Sequence, residues 1–247
     1  MGTITVRVKR QDGPSSAPRW EEFRLPEVPG SNVISCLMEI QRNPVTAAGE
    51  KTTPVVWESH CLEEVCGACT MLVNGRVRQS CSALVERLEQ PIVLTPMTKF
   101  PVVRDLVVDR RRMFADLIRI KGWIPVQGTY DLGPGPRLAP SEQEAAYTLS
   151  TCMTCGCCLE ACPNVGDGSK FIGPAAISQV RLFNTHPTGR LNADERLEAL
   201  MAPGGISECG NAQNCLEVCP KEIPLTTSIG MMGRQVTLLA LKTLLSD

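Results

Sequence analysis

Thirteen cysteines, most of them gathered into three runs, constrain this chain more than any other feature. The first run is Cys61-x4-Cys66-x2-Cys69, followed after an 11-residue gap by Cys81. Three thiolates on one tight loop plus a distant fourth is the plant-type spacing for a 2Fe-2S cluster. Gly67 and Ala68 let the backbone pass close to the sulfides and offer N–H groups to them. The Asn74-Gly75 turn folds Cys81 back toward the loop. The alternative is zinc, but zinc knuckles use two C-x2-C pairs and only one occurs here.

The second run is Cys152-x2-Cys155-x2-Cys158-x3-Cys162-Pro163, the bacterial ferredoxin spacing, whose fourth Cys serves the other cluster of a pair. A second copy follows as Cys209-x5-Cys215-x3-Cys219-Pro220. Aligning the copies sets Cys209 on Cys152, Ala212 on Cys155, Cys215 on Cys158 and Cys219 on Cys162. Exchanging the last Cys of each run gives Cys152, Cys155, Cys158 and Cys219 as ligands of a 4Fe-4S cluster. Cys162, Cys209 and Cys215 remain as three ligands, which fits a 3Fe-4S cluster because a cubane corner without a thiolate readily loses its iron. The alternative there is a 4Fe-4S cluster with an exchangeable fourth ligand. Cys36 and Cys157 are left over, the first as a small core residue on a helix, the second as a packing residue beside the cluster, with competition as a ligand the alternative.

Other residues carry less. His60 adjoins Cys61, which already occupies the ligand position, and His186 reads as a satisfied loop histidine. Arg110, Arg111 and Arg112 read as a solvated face or a partner contact. No G-x-G-x-x-G, P-loop or Ser/His/Asp signature occurs, so no flavin or organic-acid site is expected. The 25 basic and 26 acidic residues leave a net charge of −1, spread evenly along the chain. Neither half has the surplus of a nucleic-acid or polybasic membrane binder. No stretch reaches 18 consecutive apolar residues, and the opening MGTITVRVKR lacks the apolar core of a secretory signal. In a reducing compartment thiols bind metal rather than pair, and an odd cysteine count also argues against a closed disulfide framework.

Hydrophobic periodicity places these runs on two domains, 1–108 and 109–247. Alternating Ile4, Val6 and Val8 predict a strand, with Phe23 and Leu25 ending a second. Ser31 or Asn32 caps a helix through Val33, Leu37, Met38 and Ile40. Residues 71–78 form a hairpin around Asn74-Gly75, and Ile92 to Leu94 form a further strand: a small α+β domain. From Arg111 the period is helical, with Met113, Phe114, Leu117, Ile118 and Trp123 expected on one side. Residues 124–140 read as loop. Helical patterns return at 141–149, 174–184, 192–201 and 224–245.

The chain resembles the iron–sulfur subunits of succinate:quinone oxidoreductases, the succinate dehydrogenases and fumarate reductases. The resemblance covers essentially the whole sequence. Besides the cysteines it rests on Cys61-Leu62-Glu63-Glu64-Val65-Cys66-Gly67-Ala68-Cys69, Phe100-Pro101-Val102-Val103-Arg104-Asp105-Leu106, Phe171-Ile172-Gly173-Pro174-Ala175 and Cys219-Pro220-Lys221. It implies an α+β chain: an N-terminal β-grasp 2Fe-2S ferredoxin domain, then an all-α helical ferredoxin domain with two clusters. It implies a flavoprotein partner carrying FAD and the dicarboxylate site, and a transmembrane cytochrome b-type anchor leading to the quinone pool, with no nucleic-acid partner. Electrons would run from FAD through 2Fe-2S, 4Fe-4S and 3Fe-4S to the anchor, or in reverse for fumarate reduction. The chain would then sit at the cytoplasmic face of a bacterial plasma membrane, peripheral through the anchor. The segment is most similar to the Gram-positive dihaem-anchor type. Ubiquinone-reducing members place a Trp after the first Cys-Pro and a His after the first Cys of the second copy. Here those positions are Asp167, or a neighbour, and Gly210, which weighs against a quinone site in this subunit and favours haem as the next carrier. Iron–sulfur subunits of other flavoenzymes usually lack the Cys61–Cys81 set.

Overall fold

A computed structural model describes residues 2–124 and 137–246. The chain divides into two compact units: Met1–Arg110 with Met153–Glu160, and Arg111–Cys152 with Ala161–Asp247.

The first unit is built on a five-stranded mixed sheet. Strands β1 (Thr3–Arg10) and β2 (Arg19–Pro26) precede helix α1 (Val33–Arg42); β3 (Thr70–Val73), β4 (Arg76–Gln79) and β5 (Ile92–Thr95) follow, in the order β2-β1-β5-β3-β4. β1 pairs antiparallel with β2 and parallel with β5. The period-2 alternation sends Ile4, Val6 and Val8 into the core, where they meet Phe23, Leu25, Ile92 and Leu94. α1 covers this face with Val33, Ile34, Cys36, Leu37 and Ile40, while Met38, expected on that stripe, points outward. At about 100° per residue the buried side chains span an arc of about 160° from Cys36 to Ile34, and Met38 falls about 40° beyond its Ile34 edge. Asn32 caps α1 by accepting from Ser35 N at 2.9 Å, and its Nδ2 donates to Cys81 O at 3.0 Å. The hairpin turn has φ of 50° at Asn74 and 77° at Gly75, as a type I′ turn requires.

A two-stranded ribbon, β6 (Val102–Arg104) and β7 (Val107–Val108), turns at Asp105, whose φ is 47°. Its carboxylate is wholly buried against Arg10 Nε at 3.0 Å and Nη2 at 3.2 Å. It also accepts from Gln11 N at 3.0 Å and Val56 N at 2.9 Å. Every lone pair is thus used, which is the condition under which a buried ion pair is tolerated; removing one partner of such a pair costs about 3–5 kcal/mol.

The second unit is helical: α2 (Arg111–Arg119), α3 (Pro140–Ser150), α5 (Gly173–Thr185), α6 (Ala193–Met201), α7 (Asn214–Glu217) and α8 (Leu225–Ser246), with α4 (Cys157–Ala161) crossing the division. α5 packs on α8, α3 and α2, burying Ala176, Ile177 and Val180. Arg196 of α6 is buried with its donors shared among the carbonyls of Lys121, Trp123 and Gly189 and the side chain of Asn184.

The stripe expected on α2 is corrected. Met113 and Ile120 are buried, but Phe114, Ile118 and Trp123 are exposed. The inward face is chosen by arginines: Arg112 donates to Phe171 O at 2.7 Å, Arg119 to Lys170 O at 3.0 Å, and Asp116 lies 3.7 Å from Arg112. Positions 112, 116 and 119 share one helical face with 113 and 120, which turns 114 and 118 to the other side. Of the loop expected at 124–140, residues 125–136 lie outside the described residues. The helices expected at 141–149, 174–184, 192–201 and 224–245 are α3, α5, α6 and α8.

Candidate metal centres

The first cysteine loop is coiled by left-handed residues: φ is 59° at Leu62, 57° at Glu64 and 73° at Gly67. That winding aims backbone N–H groups at sulfur. Glu63 N and Val65 N lie 3.4 and 3.3 Å from Cys61 Sγ, and Ala68 N lies 3.5 Å from Cys66 Sγ. The two amides on Cys61 pull its thiol down to about 7, favouring the thiolate that iron needs. Cys66 is hydrogen-bonded to Cys61, and Cys69 to Cys81, so the four thiols meet as two pairs. Burial dominates at Cys69, pushing it up to about 12. Cys81 lies in the tight turn directly after β4, where the Asn74-Gly75 hairpin delivers it. Thiols gathered around convergent N–H donors fit a 2Fe-2S cluster.

Arg110, expected on a solvated face or at a partner, instead clasps this loop. Its Nη1 donates to Gly67 O at 2.7 Å and its Nη2 to Ala68 O at 2.8 Å. With the Gly67 carbonyl held on one side, the Ala68 N–H of the same peptide turns to the other, toward Cys66 Sγ. No local pattern marks Arg110, since its partners lie 42 and 43 residues away. Glu160 was missed for the same reason. It is buried, accepting from Thr98 N at 2.8 Å, Thr98 Oγ1 at 2.6 Å and Lys99 N at 3.0 Å, and so fixes α4.

The two ferredoxin-like runs repeat in backbone as well as in sequence. Cys155 lies between left-handed Thr154 (φ 52°) and Gly156 (φ 93°); Ala212 lies between left-handed Asn211 (φ 54°) and Gln213 (φ 64°). Cys158 is the second residue of α4, and Cys215 the second of α7. Cys155 and Cys158 belong to the first unit, while Cys152, after α3, and Cys219, after α7, belong to the second. A hydrogen bond from Cys157 lowers Cys155 to about 7, aided by the nearby charge of Arg110. Cys157 is buried, its thiol pushed strongly up by that same bond and by burial.

Cys162, Cys209 and Cys215 line one cavity together with Gly210, Ala212 and Asn164. Burial and the two neighbouring thiols raise Cys215 to about 11. Three thiols around one recess, with a methyl group in place of the fourth, fit a 3Fe-4S cluster. A Cβ added to Gly210 would lie 2.9 Å from Asn164 Oδ1, so Asn164 fills the space a larger residue would need. All thirteen cysteines are among the described residues, and none forms a disulfide. Cys36 is in the α1 core, and burial raises its thiol to about 11. His60 is exposed, and His186 Nδ1 is satisfied by Thr188 Oγ1 at 2.8 Å.

Comparison with known proteins agrees with this layout. A 2Fe-2S iron–sulfur cluster binding domain matches residues 5–115, and a 4Fe-4S dicluster domain matches residues 148–223. The succinate dehydrogenase iron–sulfur subunit of Bacillus subtilis is 62% identical over 240 residues, covering 97% of this chain and 95% of the relative. The fumarate reductase iron–sulfur subunit of Wolinella succinogenes is more distant, 28% identical over 239 residues, covering 94% and 97% of the two chains. Among solved structures, a chain of the Mycobacterium smegmatis Sdh1 complex has the same fold, with a TM-score of 0.77 at 24% identity and 95% of each chain covered. The chain therefore belongs to the family of iron–sulfur subunits of succinate dehydrogenases and fumarate reductases.

Proposed function

We propose that this chain is the electron-transfer subunit of a succinate:quinone oxidoreductase, working in the direction of succinate oxidation. The observation that carries this reading is the thiol-holding loop architecture in a chain 62% identical, nearly end to end, to a succinate dehydrogenase iron–sulfur subunit. The greater distance of the fumarate reductase subunits favours succinate oxidation over the reverse reaction.

Cys61, Cys66, Cys69 and Cys81 would hold the 2Fe-2S cluster within residues 1–108. Within residues 109–247, Cys152, Cys155, Cys158 and Cys219 would hold the 4Fe-4S cluster, and Cys162, Cys209 and Cys215 the 3Fe-4S cluster. When bound, the clusters supply one-electron carriers that match a two-electron flavin to a membrane acceptor. The chain's own residues stabilise thiolate charge through the Glu63, Val65 and Ala68 N–H groups, hold the loop through Arg110, and exclude water by burying Cys69, Cys81, Cys155, Cys158 and Cys215. Upstream lies a flavoprotein with FAD; downstream, a cytochrome b-type anchor with haem at the cytoplasmic face of the plasma membrane. Among the described residues no helix is long and apolar enough to cross a membrane, in keeping with attachment through that anchor.

Purification of the tagged chain from detergent-solubilised native membranes tests this. Flavin and haem should accompany it, and succinate should reduce its clusters. Expressed alone with clusters intact, the chain should accept electrons from dithionite yet oxidise no succinate. Succinate-dependent dye reduction by the isolated chain, or clusters inert to succinate in the complex, would overturn the reading.

A further inference from the structure

Within the first unit a buried amide touches two of the cysteine loops. Gln79, at the end of β4, is 1% exposed. Its Nε2 donates to Thr70 Oγ1 at 2.7 Å and reaches Cys157 Sγ at 3.6 Å. Its Oε1 lies 3.4 Å from Cys69 Sγ. Thr70, Cys69 and Cys157 are themselves buried, at 2%, 2% and 0% exposure. One side chain thus joins a ligand proposed for the 2Fe-2S cluster to the thiol beside Cys158.

An amide is a costly residue to bury, and the cost is offset only where its donors and acceptors are used. A Cys69 that ligates iron is a thiolate and has no proton to give, so the attractive partner for its sulfur is an amide N–H. Turning the NH2 end toward Cys69 leaves Oε1 to accept from the Thr70 hydroxyl. Thr70 now donates to Gly67 O at 2.7 Å, but that carbonyl also has Arg110 at 2.7 Å, so the hydroxyl can be released.

We propose that Gln79 is a positioning residue for electron transfer: its side-chain amide donates a hydrogen bond to the Cys69 sulfur, is anchored by Thr70, and thereby raises the reduction potential of the first cluster. The physical basis is that a donor on a ligand sulfur stabilises the more negative, reduced form. The proposal rests on the assignment of Cys69 as a 2Fe-2S ligand.

The test uses the intact complex and a resonance-monitored redox titration. Gln79→Leu and the longer Gln79→Met should keep the 2Fe-2S signal but shift its midpoint negative. At fixed poise the ratio of reduced to oxidised cluster should fall about three- to tenfold. The 3Fe-4S titration in the same samples should not move. An unshifted 2Fe-2S midpoint in either variant overturns the role of Gln79. Cys69→Ser separates this from the parent reading: it should alter the 2Fe-2S spectrum, and an unaltered spectrum overturns the ligand assignment instead. A second measurement does not depend on how the variants fold. With glutamine side-chain amides carrying heavy nitrogen, pulsed resonance of the unmodified complex should find a nitrogen coupled to the reduced 2Fe-2S signal. Its absence overturns the proposal.

Discussion

Ala212→Cys is expected to convert the 3Fe-4S cluster to a 4Fe-4S cluster. Left-handed residues flank Ala212 as they flank Cys155, and Ala212 lines the same recess as Cys162, Cys209 and Cys215. A thiol there completes the ferredoxin run on a backbone that already has the required winding. The added iron and thiolate change cluster type and net charge, which set the potential, and the last carrier in the chain should become harder to reduce. For a one-electron carrier each fall of about 59 mV lowers the reduced-to-oxidised ratio tenfold, so succinate-dependent reduction of the anchor should slow by at least about that factor. The oxidised 3Fe resonance signal should disappear. If it persists undiminished, the alignment of the two runs is incorrect.

Gly67→Ala should be among the most damaging single-methyl changes in the first unit. At φ 73° the added Cβ would sit 2.8 Å from both Cys155 Cα and Cys155 Cβ, and 3.2 Å from Met153 O. None of these is the movable end of a side chain. The left-handed backbone costs about 1–2 kcal/mol for a non-glycine residue, and the overlap about 1–3 kcal/mol more. Together these should lower the melting temperature by about 5–15 °C, with loss of 2Fe-2S content. Gly75→Ala is the control: its φ is 77°, but nothing lies within 4 Å of the new Cβ, so only the backbone cost remains. Equal melting temperatures for the two variants would show that Gly67 is needed for its dihedral angle alone.

Features written in neighbouring residues were legible in the sequence. The alternation of Ile4, Val6 and Val8, the Asn74-Gly75 turn and the cap at Asn32 each act within a few residues, and each is where the pattern puts it. The thiol spacings are equally local, and the repeat they define extends to the dihedral angles around Cys155 and Ala212. What escaped was decided at long range. Arg110 reaches back to Gly67, Glu160 to Thr98, and Gln79 across to Cys157, contacts that no periodicity encodes. The α2 stripe misled because apolar spacing cannot tell a face buried by arginines binding carbonyls from one buried by methyl groups. Met113 and Ile120 were too few to show which side Arg112 and Arg119 would choose.

Mössbauer spectroscopy of iron-enriched complex, with iron and labile sulfide counted per chain, addresses the central claim most directly. Three cysteine sets holding 2Fe-2S, 4Fe-4S and 3Fe-4S clusters require about nine irons and about ten sulfides, resolved into three components with areas in the ratio of about 2:4:3. A colourless protein containing zinc, or a spectrum with only two iron components, would contradict it.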